Sequence, residues 1–319
     1  MAEVMCLGIL VADVFGSPLE SLPSAGDLSL IDRYLTSVGG CAANTAANLR
    51  RLGRTAGVLG KVGEDLFGQY VLEDLTAKGI ETSFVSVSKE RPTSFTFILN
   101  VQGQDRRYIH CAGANSEFSL TDINLAMLEG AKALYVGGFF ALPAFRAEHL
   151  LTLLSAAKQR GLVTVLDVAI PNHAAASMDD LRKVLPYTDA FLPNTDEARV
   201  LTKRSDPLEQ AEILAEACSN CTVVITLGKA GVVVHRGGEV WRAGAYQVKS
   251  VDESGSGDAF DAGYIVGLLE GWPFDHIVRF ASAVGASCAR ELGCHEGVFT
   301  FEEAESFIKE NHLELERIK

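Results

Sequence analysis

From Val163 onward, short apolar runs rich in β-formers alternate with amphipathic helix patterns, the runs being Val163 to Val168, Ala190 to Leu192 and Thr222 to Leu227. Strands buried on both faces read as continuous apolar runs, and helices joining them impose a parallel sheet covered on both sides. The segment Ala147 to Arg160 supplies one such helix. Leu150, Leu151, Leu154 and Ala157 form its stripe, Lys158 and Arg160 suit its C-terminal dipole, and Gly161 stops it. Similar units come earlier: a helix near Cys41 to Arg51, a strand near Val58 to Val62, and a helix near Asp65 to Lys78 closed by Gly79. Before them the apolar run Val4 to Val11 reads as a first strand, placed at Met5 to Val11. The expected fold class is α/β, a three-layer α/β/α sandwich around a mostly parallel sheet.

Two stretches break this rhythm. Leu28 to Val38 is β-like without a flanking helix, and Phe95, Phe97, Leu99 and Val101 alternate strictly before the turn Gln102 to Asp105 and a strand from Arg106 to Cys111. They predict a second, antiparallel sheet that forms a small flap over the strand ends, in the position of a lid. A decorative hairpin or a dimer surface is the alternative, and the two roles are compatible. The main domain is expected at 1–12, 39–90 and 113–319, and the lid at 13–38 and 91–112.

Composition narrows the function classes. Of the 319 residues 48% are hydrophobic and 22% charged, and no apolar run approaches the ~20 residues of a membrane helix. The N-terminus lacks the basic flank and cleavage pattern of a signal peptide, so a cytoplasmic protein without membrane partners is expected. A net charge of -13 argues against nucleic acid, which demands clustered cations. Seven scattered cysteines are expected as thiols, and Cys218-Ser219-Asn220-Cys221 lacks the second pair that a zinc site needs.

Five segments can carry chemistry. Asp252-Glu253-Ser254-Gly255-Ser256-Gly257-Asp258 follows the strand-like Val248 to Val251 and opens a helix. Unpaired amides and the positive dipole end converge there, so Gly255, Ser256 and Gly257 can bind an anion, with Asp258 an ionised carboxylate beside it. A plain glycine turn capped by Asp258 explains the segment alone equally well. Gly39-Gly40-Cys41-Ala42-Ala43-Asn44 opens a second helix, in which Asn44 can meet a polyol hydroxyl. Close helix packing is its simpler reading. Asp13 follows the first strand, where ligand sites of parallel sheets collect, although acidic residues are common in turns. Asn194 and Glu197 form a capping box, and can equally organise magnesium through waters. Thr226-Leu227-Gly228-Lys229-Ala230-Gly231 ends a strand in a two-glycine turn over which a nucleotide can pass.

In this order the five segments resemble the ribokinase-like carbohydrate kinase family, also called the PfkB family, over essentially the whole chain. The strongest marks are Gly39-Gly40-x-x-x-Asn44 and Asp252-x-x-Gly255-x-Gly257-Asp258, accompanied by Asn194-x-x-Glu197. The resemblance implies a ribokinase-like fold and a role for each residue. Asp258 would be the base, and the amides of Gly255, Ser256 and Gly257 the anion hole. Asp13, Gly39, Gly40 and Asn44 would bind the sugar. Asn194, Thr226, Gly228 and Gly231 would bind the nucleotide. Glu197 would position Mg2+ through water, and Asp252 with carbonyls near Gly293 would hold a monovalent cation such as K+. Two departures stand out. Glu253 and Ser254 replace two threonines of the usual pattern, and Cys41 replaces the lysine of ribokinases.

The expectation is therefore ATP- and Mg2+-dependent phosphorylation of a hydroxymethyl group on a small neutral sugar or nucleoside, by a homodimer paired through the lid. A non-catalytic sugar or nucleotide sensor is the rival, with Glu253 in its favour, and a sugar-acid kinase stands third. A dehydrogenase lacks its early glycine fingerprint.

Overall fold

The computed structural model describes residues 2–16, 19–102, 107–171, 175–218 and 220–319. In chain order its strands are β1 (Val4–Leu7), β2 (Val11–Gly16), β3 (Tyr34–Gly39), β4 (Ala56–Leu59), β5 (Lys61–Gly63), β6 (Ser86–Ser88), β7 (Phe95–Leu99), β8 (Arg107–Cys111), β9 (Ala133–Val136), β10 (Val163–Leu166), β11 (Ala190–Phe191), β12 (Thr222–Thr226), β13 (Val232–Arg236), β14 (Glu239–Ala243) and β15 (Leu315–Arg317). The helices are α1 (Cys41–Arg51), α2 (Leu66–Ala77), α3 (Ala147–Gln159), α4 (Met178–Val184), α5 (Thr195–Thr202), α6 (Pro207–Glu216), α7 (Ser256–Leu269), α8 (Phe274–Cys288) and α9 (Phe301–Glu310).

Nine strands form the central sheet in the order β15-β14-β13-β12-β11-β10-β9-β1-β4. The six from β12 to β4 pair in parallel, and β13, β14 and β15 add an antiparallel edge that the sequence patterns had not indicated. Side chains alternate between two cores. Val4, Cys6, Tyr135 and Val165 face α1, α7 and α8, while Met5, Leu7, Leu134 and Leu166 face α3 and its neighbours. Helices thus cover both faces, as a mostly parallel sheet requires.

The apolar run at the N-terminus serves two sheets, not the single strand expected over Met5 to Val11. Its flanking strands β4 and β9 stop level with Leu7, so the chain leaves the central sheet there. From Val11 it pairs with Gly39 in a second sheet, ordered β3-β2-β7-β8, ahead of the boundary expected at residue 13. The backbone of the crossing is satisfied by buried Asn115, whose Nδ2 donates to Leu10 O at 3.0 Å while Leu10 N donates to Asn115 Oδ1 at 3.3 Å.

Other expectations change locally. The small sheet is mixed, because β2 and β7 leave the central body in the same direction and pair in parallel. Only Tyr34–Gly39 of the Leu28 to Val38 stretch is a strand, since Leu28 and Leu30 have no core to enter and are 87% exposed. The run Val58 to Val62 divides into β4 and β5, the latter pairing with β6. Residues 244–250 carry no strand, so Val248 to Val251 does not lead into the glycine turn as one. The expected turn at Gln102 to Asp105 and the start of the next strand at Arg106 fall largely outside the described residues. Cys218 and Cys221 lie side by side where the chain steps from α6 to β12, their Cα atoms 5.4 Å apart. No helix among the described residues is long and apolar enough to cross a membrane.

Candidate active site

The start of α7 is built around Gly255, whose φ of 74° is left-handed and whose added Cβ would lie 2.6 Å from Cys294 Cβ. Only glycine satisfies both conditions at low cost. Gly255 is the N-cap, and no side chain caps the helix. Asp258 therefore lies inside the first turn and is not the cap, which removes the plain capping explanation. Ser256 N donates to Glu253 O at 3.3 Å within the turn, a long bond that a stronger acceptor could replace, whereas a Cβ on Gly257 would meet open space. Asp252 secures the loop from behind. Its buried carboxylate accepts from Ser254 N at 2.9 Å and from Gly293 N at 3.1 Å.

Helix α1 meets α7 at Asp258. Asn44 Nδ2 donates to Asp258 Oδ2 at 2.8 Å, which explains an asparagine in the middle of a helix of small, buried residues. Asn44 is 6% exposed, and its Oδ1 has no partner among the described residues. An acceptor in that condition is suited to a ligand hydroxyl. Burial pushes the Asp258 carboxyl up to about 6, while hydrogen bonds from Asn44 and Cys41 oppose the rise. At neutral pH the group is predominantly ionised and still basic enough to take a proton.

The double glycine has an internal reason. A Cβ on Gly39 would collide with the Asp13 carboxylate, and one on Gly40, at φ 98°, with the carbonyl of Ile9. Asp13 lies in β2, within the small sheet, and not in a loop after β1. Burial chiefly raises its pKa, against a hydrogen bond from Thr96, whose hydroxyl also meets His110 Nδ1 at 3.1 Å.

Three acidic groups surround Asp258. Asp167 follows β10, Asp261 stands one turn beyond Asp258, and Glu197 lies in the first turn of α5. Burial first, then mutual repulsion, drives Asp167 and Asp261 well above the ordinary carboxyl range. Burial likewise pushes Glu197 up to about 7. Tyr135 OH donates to Asp261 Oδ2 at 2.9 Å, in a pair that is almost wholly buried. Among the described residues, ligand atoms of Cys41, Asp167 and Asp258 lie within 4.8 Å of one another, a spacing that could hold a metal ion.

Asn194 and Glu197 form the capping box in full. Asn194 Oδ1 accepts from Asp196 N and Glu197 N at 2.9 and 3.0 Å, and Glu197 Oε2 accepts from Asn194 N at 2.9 Å. At Cys288 the carbonyls of Ser254, Gly293 and Cys294 converge on the thiol at 3.3, 4.0 and 3.4 Å, beside Asp252. This is an oxygen-rich set, of the kind a hard monovalent cation takes.

A cleft of about 250 Å³ opens beside the glycine turn, lined by Thr226, Gly228 and Gly231 on one wall and Ser256, Gly257 and Phe260 on the other. Asn194 is not among its lining residues and instead bridges Thr226. Asp167, Asp261 and Tyr135 were not singled out from the sequence. Two signals were present: Asp167 ends a parallel strand, and Asp261 lies at i+3 from Asp258 on the same helix face.

The model of the pfkB family of carbohydrate kinases matches residues 1–300. The 5-dehydro-2-deoxygluconokinase of Clostridium perfringens is 29% identical, over 89% of this chain and 86% of that protein. Ribokinase of Haemophilus influenzae is 27% identical, over 95% and 97%. Among solved structures, Arabidopsis thaliana ribokinase complexed with ribose and ATP aligns at a TM-score of 0.82 and 22% identity, covering 97% of this chain and 99% of that one. An E. coli protein solved with ATP and Mg2+ aligns at 0.82 and 22%, covering 98% and 100%.

Proposed function

The chain belongs to the pfkB family of carbohydrate kinases, and from that premise we propose that it transfers the γ-phosphoryl group of ATP to a hydroxymethyl group of a small neutral sugar or nucleoside. The observation that carries this reading is Asp258, a carboxylate raised to about 6 and oriented by Asn44 at a helix start without a side-chain cap. An acceptor hydroxyl against Asp258 gives up its proton as it attacks. Developing charge on the moving phosphoryl group meets the amides of Gly255, Ser256 and Gly257 and the dipole of α7.

The remaining residues support binding roles. Asp13 and the free Oδ1 of Asn44 accept hydroxyl hydrogen bonds from the sugar, with Gly39 and Gly40 forming the backbone beside them. Thr226, Gly228 and Gly231 line the nucleotide's cleft, and Asn194 braces it through Thr226. Glu197 would position Mg2+ through water, with the Asp167 carboxylate close enough to raise the charge density there. When bound, Mg2+ neutralises phosphate charge. The carbonyls near Gly293 with Asp252 suit K+.

A neutral acceptor is favoured over a sugar acid because a carboxylate would stand close to the acidic side chains of Asp13 and Asp258. The small sheet would act as the lid, and its exposed Tyr34, Leu35, Phe97, Tyr108 and Ile109 would pair two copies. An ATP-consumption screen over sugars, nucleosides and sugar acids tests the assignment. Turnover confined to sugar acids would overturn the neutral acceptor; ligand-induced thermal shifts without any turnover would favour the sensor.

A further inference from the structure

Glu253 stands where the family pattern has threonine, and the structure gives it a partner. Lys229, in the turn Gly228–Ala230 after β12, reaches across the cleft to Glu253 in the loop before α7, Nζ to Oε1 at 2.6 Å. Ser250 Oγ adds a contact to the same carboxylate oxygen at 3.4 Å. Among the described residues lining the cleft, Lys229 is the one cation and Glu253 the one anion. Both side chains are more than half exposed, so the pair is weak and easily exchanged.

We infer that Glu253 is a positioning residue for the nucleotide, acting through Lys229: it holds the cleft's single cation in the free enzyme, and entering phosphates must take Lys229 from it. The inference rests on the nucleotide-cleft reading above. A polyphosphate carries more charge than one carboxylate and can win this exchange, but it loses the part of Lys229's attraction that Glu253 already satisfies. Adenosine has no phosphate and is indifferent to it. The pair therefore sets how strongly the enzyme distinguishes phosphorylated nucleotides from the bare nucleoside.

Calorimetric titration of the full chain with ATP and with adenosine, at low salt, tests this on wild type, Glu253→Gln, Lys229→Ala and the double variant. Glu253→Gln is expected to tighten ATP by about three- to five-fold, the range of an exposed ion pair, and to leave adenosine unchanged. The gain should disappear in the Lys229→Ala background. In turnover the change should fall on the KM for ATP. An unchanged ATP affinity in Glu253→Gln, or an equal gain with Lys229 absent, would overturn the inference. Wild type that binds no ATP at all would instead overturn the nucleotide reading beneath it.

Discussion

At Asp258 a single carboxyl group is placed under opposing influences, and their balance sets what it can do. Burial raises it to about 6, and the Asn44 and Cys41 hydrogen bonds restrain the rise. Turnover should therefore increase from pH 5 to pH 7 as the group ionises, provided the base assignment holds. Asp258→Asn should lower kcat by about 10²-fold or more with the circular dichroism spectrum retained, the usual scale of a general-base contribution. Asn44→Ala removes a stabiliser of the ionised form, so the acid limb of the pH–rate profile should move to higher pH; a limb that stays in place would separate Asn44 from the base. The motif residues of this site were legible because each sits in a short local signature. Asp261 and Tyr135 were not, because 126 residues separate them in the chain and only the sheet brings the phenol beneath the helix.

Among the elements, α7 depends most on its first turn. Gly255→Ala adds a Cβ in the left-handed region and against Cys294, and should destabilise the protein by about 1–2 kcal/mol in urea unfolding. The helices were the most readable elements. Their stop and start signals are short-range: Gly79, at φ 72°, follows the end of α2 as expected, and Asn194 with Glu197 closes the box on α5. Strand ends were less readable. The apolar run from Val4 to Val11 looks continuous by composition, and its division at Leu7 follows from where β4 and β9 stop. Likewise the parallel pairing of β2 with β7 is a matter of chain path, on which alternation is silent.

Across the whole molecule the acidic cluster makes stability depend on pH. A carboxyl whose folded pKa lies above its unfolded value binds its proton more tightly in the native state. It stabilises the fold fully below the unfolded pKa and loses that contribution as pH rises through the folded one. For Glu197 that window runs from about 4.5 to about 7, and Asp167 and Asp261 act in the same direction. Asp261→Asn keeps an acceptor for Tyr135 and removes the charge. Its stability relative to wild type, measured by urea unfolding, should grow as pH rises above the ordinary carboxyl range; a difference that is constant with pH would show that burial of Asp261 does not raise its pKa. The exposed apolar face of the small sheet sets an assembly prediction. If two copies pair through this face as proposed, wild type sediments as a dimer and Ile109→Lys as a monomer; a monomeric wild type or an unaltered dimer would remove this interface.

What the amino-acid order alone determined is whatever is decided within a few turns of chain. This covers the alternation of apolar strands with helices, the capping box of Asn194 with Glu197, and the glycine turn at the start of α7. Those depend on periodicity, propensity and hydrogen bonds between near neighbours. Tertiary structure decided which strands pair, the antiparallel edge of β13 to β15, and the gathering of Asp167, Glu197 and Asp261 around Asp258. It also decided that Glu253 meets Lys229. These contacts join segments remote in sequence, and they exist only because the sheet closes the distance between them.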